Sequence, residues 1–137
     1  MKIQVETKGH YDFVDLTKRI NNIVKKSGVE DGMVFLFVRG STAVLTTMEY
    51  ESGLLEDLKQ VFEGIAPESA DYRHHLRWGD KNGAAHIKSA FIGPDLAIPI
   101  EKGKMQLGTW QQIVLVDFDE RPRTREIIVK IGNLTGF

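Results

Sequence analysis

The chain has 137 residues, of which 42% are hydrophobic, and we expect residues 1–137 to form a single domain. Its 18 basic and 19 acidic residues give a net charge of -1, so the positive surplus typical of nucleic-acid-binding proteins is absent. No apolar run approaches the ~20 residues of a membrane span, and the first residues lack a signal-peptide core. We therefore expect neither nucleic-acid nor membrane partners. The chain also has no cysteine, which is typical of a reducing compartment, so we expect a cytoplasmic protein.

The first half of the chain alternates between strand and helix patterns. Residues 3–7 show the period of two of a half-buried strand. Asp15 is predicted to cap a helix that ends at Gly28. The apolar run 33–38 and the threonine-rich run 43–50 both indicate strands, which we expect to neighbour each other.

A second helix is predicted over 54–65, because its apolar residues lie on one face and Pro67 follows. We expect a loop over 68–83 and a short helix over 84–91, which ends at the Gly93-Pro94 pair. Further strands are indicated at 96–100, 105–107, 111–119 and 125–131, the first two as a hairpin. About eight strands and three helices, with the helices early, favour an α+β fold.

Histidines are the most informative candidates for chemistry, and three of the four lie between residues 71 and 111. His74 and His86 can share a metal ion, or divide into an acid and an anion binder. His75, Asp71 or Asp80 can complete such a site, since zinc usually takes three or four protein ligands. In an extended segment the rings of His74 and His75 point to opposite faces, so we expect His74 in the cleft. Either cleft histidine can instead be structural.

The cationic candidates are Lys88 and the cluster of Arg121, Arg123 and Arg125. Lys88 can bind a phosphate group as a point charge, but a solvated surface lysine fits equally well. The arginines also suit phosphate, although arginines beside turns are more often only solvated.

Two glycine-containing segments offer polar groups. Gly108-Thr109-Trp110-Gln111 can bind a heteroaromatic or phosphorylated ligand, unless Trp110 is a core anchor or lies in a subunit interface. Gly40-Ser41-Thr42 joins two predicted strands and offers hydroxyl and backbone groups to a phosphate. The dinucleotide-binding, P-loop, α/β-hydrolase and zinc-protease motifs are absent from the sequence.

At these residues the chain resembles the YjbQ-like proteins, a family now named secondary thiamine-phosphate synthases. The matching segments are Gly40-Ser41-Thr42-Ala43, Glu49, Tyr72-Arg73-His74, Asn82-Gly83, His86-Ile87-Lys88, Gly93-Pro94, Gly103 through Leu107-Gly108-Thr109-Trp110-Gln111, Asp117-Phe118-Asp119 and Arg121-Pro122-Arg123. The resemblance implies an α+β fold with a β-sandwich-like core and a homotrimer. It also implies the joining of hydroxymethylpyrimidine diphosphate to hydroxyethylthiazole phosphate, which gives thiamine phosphate and pyrophosphate.

The resemblance supports His74 and His86 as catalytic and metal-binding residues, with zinc or magnesium as the candidate divalent metal. The expected substrate-binding residues are Ser41, Thr42, Glu49, Tyr72, Asn82, Lys88, Gly108, Thr109, Trp110, Gln111 and Arg123. Many relatives have histidine where this chain has Ser41 or Ala84, which removes two candidate ligands. Two alternatives remain: a non-catalytic binder of a phosphorylated metabolite or metal, and a metal-assisted hydrolase.

Overall fold

The structure, a computed structural model that describes residues 1–134, contains eight strands and four helices. The strands are β1 (Lys2–Thr7), β2 (Asp12–Asp15), β3 (Asp31–Val38), β4 (Ala43–Met48), β5 (Asp95–Glu101), β6 (Lys104–Met105), β7 (Gln112–Asp117) and β8 (Arg123–Gly132). The helices are α1 (Thr17–Ser27), α2 (Ser52–Ile65), α3 (Arg73–Trp78) and α4 (Gly83–Ile92). The α+β class and the number of strands are confirmed, with one helix more than the three predicted.

The strands form two antiparallel sheets packed face to face. The large sheet has the order β1-β8-β3-β5-β6, and the small sheet has the order β2-β7-β4. Val34, Leu36 and Val38 of β3 lie in the same buried cluster as Leu45 of β4 and Leu115 of β7. Strands β3 and β4, which we expected to neighbour each other, pack across the core from different sheets, because the connection between them crosses from one layer to the other.

Helix α1 packs against the core between the sheets through Ile20 and Val24, both almost fully buried. The Asp15 carboxylate accepts hydrogen bonds from the Thr17 backbone N–H, at 2.9 Å, and from its hydroxyl, at 2.6 Å. Gly28 ends the helix in the left-handed region with φ of 69°. The predicted end at Gly28 is thus present, and Asp15 binds the first helical residue, although the N-cap position itself is Leu16.

Helices α2 and α4 supply residues to a second core on the other face of the small sheet. Phe62 of α2 meets Phe118 edge to face, with ring centroids 4.9 Å apart, and Ala85 of α4 joins the same cluster. The Glu51 carboxylate accepts the backbone N–H groups of Gly53 and Leu54, which fixes the start of α2. One side of α4 is thus held in the core, and its other side is left for the site described below.

Two elements differ from the sequence prediction. Helix α3 lies in the segment predicted as a loop, and β2 was not predicted at all. Both are too short to show a periodic apolar pattern, at six and four residues. Within residues 1–134, no helix has the length and apolar content required to cross a membrane.

Candidate functional site

The short helices α3 and α4 place two histidines side by side. The ring centroids of His74 and His86 are 4.6 Å apart, with the ring planes inclined by 38°. The neighbouring His75 has another role, because its Nε2 accepts a hydrogen bond of 3.2 Å from the Gly83 backbone N–H. A side chain at Gly83 would bring its Cβ within 2.9 Å of the Tyr72 Cβ, so glycine permits this close packing.

A cleft of about 180 Å³ opens beside His86, and we call it the histidine cleft. Residues of α4 form one wall, and the connection before β4 forms the other. Its lining residues are Gly40, Ser41, Ala43, His86, Ser89, Ala90, Gly93 and Pro94. The cleft thus combines an imidazole and two hydroxyl-bearing side chains with small residues that leave the backbone accessible.

Four buried side-chain atoms have no hydrogen-bond partner among the described residues: His74 Nδ1, Asp80 Oδ1, Asn82 Oδ1 and Ser89 Oγ. All four belong to α3, α4 or the turn between them. His74 Nδ1 lies 3.4 Å from Asp80 Oδ1, close enough for an ion pair but without the alignment of a hydrogen bond. Because buried polar groups are nearly always satisfied, hydrogen bonds to water or to a small polar ligand would complete these groups.

The environment of His86 favours the neutral imidazole. Burial, reinforced by the adjacent His74 ring, lowers the pKa of His86 below its usual range, against the opposing effect of Asp119 and Asp80. A neutral imidazole at neutral pH can accept a proton, donate a hydrogen bond or bind a metal ion.

A buried ionic network lies next to this cleft and was not predicted from the sequence. The Arg125 guanidinium donates from Nε to Asp117 Oδ2 at 2.7 Å and from Nη2 to Asp117 Oδ1 at 2.8 Å. Its Nη2 also donates to Thr42 Oγ1 at 2.8 Å. Asp117 accepts a further hydrogen bond from the Thr7 hydroxyl. The network therefore ties β7 and β8 to the connection that forms one wall of the cleft.

Asp119 continues the network towards His86. It accepts hydrogen bonds from the Thr42 hydroxyl at 2.8 Å and from Arg123 Nε at 3.1 Å. Burial alone would raise the pKa of Asp119, but the bonds from Thr42 and the Glu120 backbone N–H, together with Arg123, lower it. The spacing of two between the aspartates and between the arginines was the available sequence signal, since it places each pair on one face of a strand.

Lys88 lies on the core side of α4 and is only 1% exposed, so its interpretation as a solvated surface lysine is wrong. Its ammonium group donates to the Tyr11 hydroxyl at 2.5 Å, pairs with Glu63 at 3.3 Å and lies over the Tyr11 ring. The Tyr11 hydroxyl in turn donates to Glu63. Lys88 is therefore engaged within the fold and does not line the histidine cleft.

The segment Gly108–Gln111, which we call the tryptophan loop, lies elsewhere. Gln111 fixes it, because its side chain accepts the Gly108 N–H and donates to Thr47 Oγ1, both at 3.0 Å. Trp110 is 71% exposed, so it is not a core anchor. Glu49 is also exposed and follows β4 at this same end, where Met48 pairs with Gln112.

Apart from Lys88, which is engaged in the core, the predicted site residues fall into two groups. One surrounds the starts of α4 and β4, and comprises Ser41, Thr42, Tyr72, His74, Asn82, His86 and Arg123. The other comprises Glu49 and the tryptophan loop at the far end of β4. Between the groups β4 runs from Ala43 to Met48, which spans roughly 17 Å at about 3.3 Å per residue.

The resemblance implies a zinc or magnesium ion held by His74 and His86. Within residues 1–134, no three His, Cys, Asp or Glu side chains converge in a way that could hold a metal ion. His74 and His86 give two ligands, whereas zinc takes three or four from the protein. The residues of one chain therefore do not fit a resident zinc ion.

Comparison with known proteins identifies the family. The model of the family described as "UPF0047 protein YjbQ-like" matches residues 1–133. The chain belongs to this family. A UPF0047 protein of Archaeoglobus fulgidus is 35% identical over 130 residues, covering 95% of this chain and 98% of the relative. The relative YugU of Bacillus subtilis is 28% identical, with 94% and 96% covered.

Solved structures of YjbQ-like proteins share the fold. A protein from Sulfolobus solfataricus described as "YbjQ-like protein of unknown function" superposes with a TM-score of 0.88 at 32% identity, covering 98% of this chain and 97% of that chain. An uncharacterised family member from Clostridium acetobutylicum gives a TM-score of 0.86 at 33% identity, with 96% and 99% covered. The YjbQ-like fold expected from the sequence is therefore confirmed.

Proposed function

We propose that this YjbQ-like protein is a transferase that joins hydroxymethylpyrimidine diphosphate to hydroxyethylthiazole phosphate at the histidine cleft. The observation that carries the proposal is the pairing of His74 and His86 beside polar atoms that lack partners. Such buried groups are stabilised only when a polar ligand or water binds them. The choice of reaction comes from the resemblance to secondary thiamine-phosphate synthases.

In this reaction the thiazole nitrogen attacks the exocyclic methylene carbon of the pyrimidine, and the carbon–oxygen bond to the diphosphate breaks. Pyrophosphate leaves with the electron pair of that bond. A catalyst must therefore stabilise negative charge on the leaving group and hold the two rings in line.

The histidine pair suits the leaving group. Burial and the adjacent His74 ring lower the pKa of His86, so this imidazole stays neutral and can donate a hydrogen bond to the leaving oxygen. The Asp80 carboxylate lies 3.4 Å from His74 Nδ1 on the other ring of the pair. The hydroxyl groups of Ser41 and Ser89 provide further donors in the same cleft.

The test is formation of thiamine phosphate from the two substrates by purified protein, with and without magnesium or zinc. We expect His86→Ala to reduce turnover by about 100-fold or more, the usual cost of removing one hydrogen-bond donor to developing negative charge. His10→Ala is the matched control, since His10 is exposed and its ring contacts Glu68 rather than the cleft. Equal turnover in wild type and His86→Ala would refute the proposed role of the cleft.

A second candidate function is non-catalytic binding of a phosphorylated metabolite. The observation that favours it is that the cationic side chains needed to stabilise a leaving diphosphate already form ion pairs within the chain: Lys88 with Glu63, and Arg123 with Asp119. Calorimetric titration with each substrate separates the two candidates. Tight binding that depends on His86, without any product, would favour the binder over the transferase.

A further inference from the structure

A second cavity, separate from the histidine cleft, lies at the start of α4. Its volume of about 330 Å³ is within the ~300 to 1,000 Å³ typical of small-molecule sites. We call it the glutamate cavity, because Glu68 and Glu120 line it. Among the described residues, the cavity and the histidine cleft share no lining residue, and the proposed reaction does not use the cavity.

The start of α4 offers this cavity a hydrogen-bond acceptor and two donors. Asn82 lines the cavity and precedes the helix, but its side chain does not cap it. It is only 8% exposed, and its Oδ1 has no hydrogen-bond partner among the described residues. The backbone N–H groups of Ala84 and Ala85 lie in the first turn, where a helix has no carbonyl group to accept them. A ligand can therefore donate to Asn82 and accept from the helix.

The charged side chains of the cavity are of both signs. Glu68 and Glu120 are acidic, and Lys81 is basic. Glu68 lies 3.3 Å from His10 Nδ1, and Glu120 accepts the Lys81 backbone N–H at 3.4 Å. A phosphate dianion would be repelled by the two carboxylates, and a simple cation would be repelled by the positive end of α4. A ligand that carries one charge of each sign can avoid both repulsions by its orientation.

An apolar floor completes the cavity. It is formed by the ring of Phe118, which is 2% exposed, and by the methyl groups of Ala84 and Ala85. Small-molecule sites typically combine such an apolar surface with a few polar groups that fix the orientation of the ligand. The floor therefore suits an apolar group attached to the charged part of the ligand.

We infer that the glutamate cavity binds a free α-amino acid with an apolar side chain, a function separate from the proposed transferase reaction. The α-carboxylate accepts the N–H groups of the first turn of α4, where the helix dipole favours negative charge. The α-ammonium group donates to Asn82 Oδ1 and to Glu120, and the side chain packs on Phe118. An α-amino acid carries both charged groups on one carbon, which suits an acceptor and donors at one helix end.

Calorimetric titration tests the choice of ligand. L-leucine and L-phenylalanine are each compared with an analogue without the ammonium group (4-methylpentanoate, 3-phenylpropanoate) and one without the carboxylate (3-methylbutylamine, 2-phenylethylamine). We expect at least one of the two amino acids to bind, and its analogues to bind about 10-fold more weakly or worse, because each analogue leaves polar groups of the cavity unpaired. Binding of neither amino acid, or equal binding of an analogue, would overturn the inference.

Nuclear magnetic resonance locates the bound amino acid. Binding should shift the backbone amide signals of Ala84 and Ala85 more than those of Gly40 and Ser41, which line the histidine cleft. Larger shifts at Gly40 and Ser41 would place the amino acid in the histidine cleft and overturn the inference.

Matched variants test the residues of the cavity. Asn82→Leu removes the buried acceptor and Glu120→Gln removes one carboxylate, so each should weaken binding by about 10-fold. Circular dichroism checks that both variants fold, and Glu120→Gln serves alone if Asn82→Leu does not. Glu56→Gln is the control, since Glu56 is exposed on α2, and it should leave binding unchanged. Wild-type binding in the folded cavity variants would overturn the inference.

Discussion

Replacement of Arg125 by methionine tests the energetic role of the buried network. Arg125 is 7% exposed and makes two hydrogen bonds to Asp117 and one to Thr42. Methionine keeps much of the side-chain volume but leaves the fully buried Asp117 carboxylate without its cation. Removal of one partner of a buried ion pair typically costs about 3–5 kcal/mol. We expect a loss near 3 kcal/mol, at the low end because Thr7 and the Asp119 N–H still donate to Asp117.

The assay is urea denaturation followed by far-ultraviolet circular dichroism at neutral pH. If the cost arises from the orphaned charge, Asp117→Asn in the Arg125→Met background should recover about 1–2 kcal/mol, because a neutral amide is easier to bury than an unpaired carboxylate. Arg121→Met, at an exposed position, should change the unfolding free energy by less than about 0.5 kcal/mol. A double variant no more stable than Arg125→Met alone would refute this reasoning.

Two further predictions concern backbone strain and protonation. Gly9→Ala should lower the free energy of unfolding, measured with heat or urea, by at least ~2 kcal/mol, because φ is +79° and a Cβ would lie 2.8 Å from the Arg121 backbone. Gly64→Ala is the control: it has open space on α2, so it should instead raise the free energy of unfolding by roughly 0.5–1 kcal/mol. NMR titration should place the pKa of His86 below its usual range and show a rise in His74→Ala. His86 then binds a proton more readily in the unfolded chain than in the folded one. Its contribution should therefore make stability fall as the pH drops below ~6.5. A pKa of His86 without any shift would contradict that account.

The elements that could be predicted from the sequence are those whose signals are local. The start of α1 just after Asp15 and its end before Gly28 follow from the hydrogen bonds of the Asp15 carboxylate and from the left-handed backbone of the glycine. The pairing of strands is not local: β3 and β4 are neighbours in sequence, yet they lie in different layers. The apolar patterns of these strands fit pairing within one sheet and also packing of two sheets across the core, because the same side chains are buried in the two arrangements.

The site was predictable in its residue types but not in its geometry. Lys88 follows His86 by two positions, so the helix turns the two side chains about 200° apart, and the sequence showed this separation. It did not show that Lys88 faces the core, because the partner Glu63 lies in another helix. Likewise, the tryptophan loop and the histidines belong to the same stretch of sequence, residues 71–111. In the structure they lie at opposite ends of β4.

The buried polar atoms near the histidine cleft bear on how ligand binding and stability are linked. His74 Nδ1 and Ser89 Oγ are buried without partners within the described chain, although burial of such groups is costly. A polar ligand that forms hydrogen bonds with these atoms lowers that cost. Because the unfolded chain cannot offer the same bonds, a ligand bound there should stabilise the folded protein.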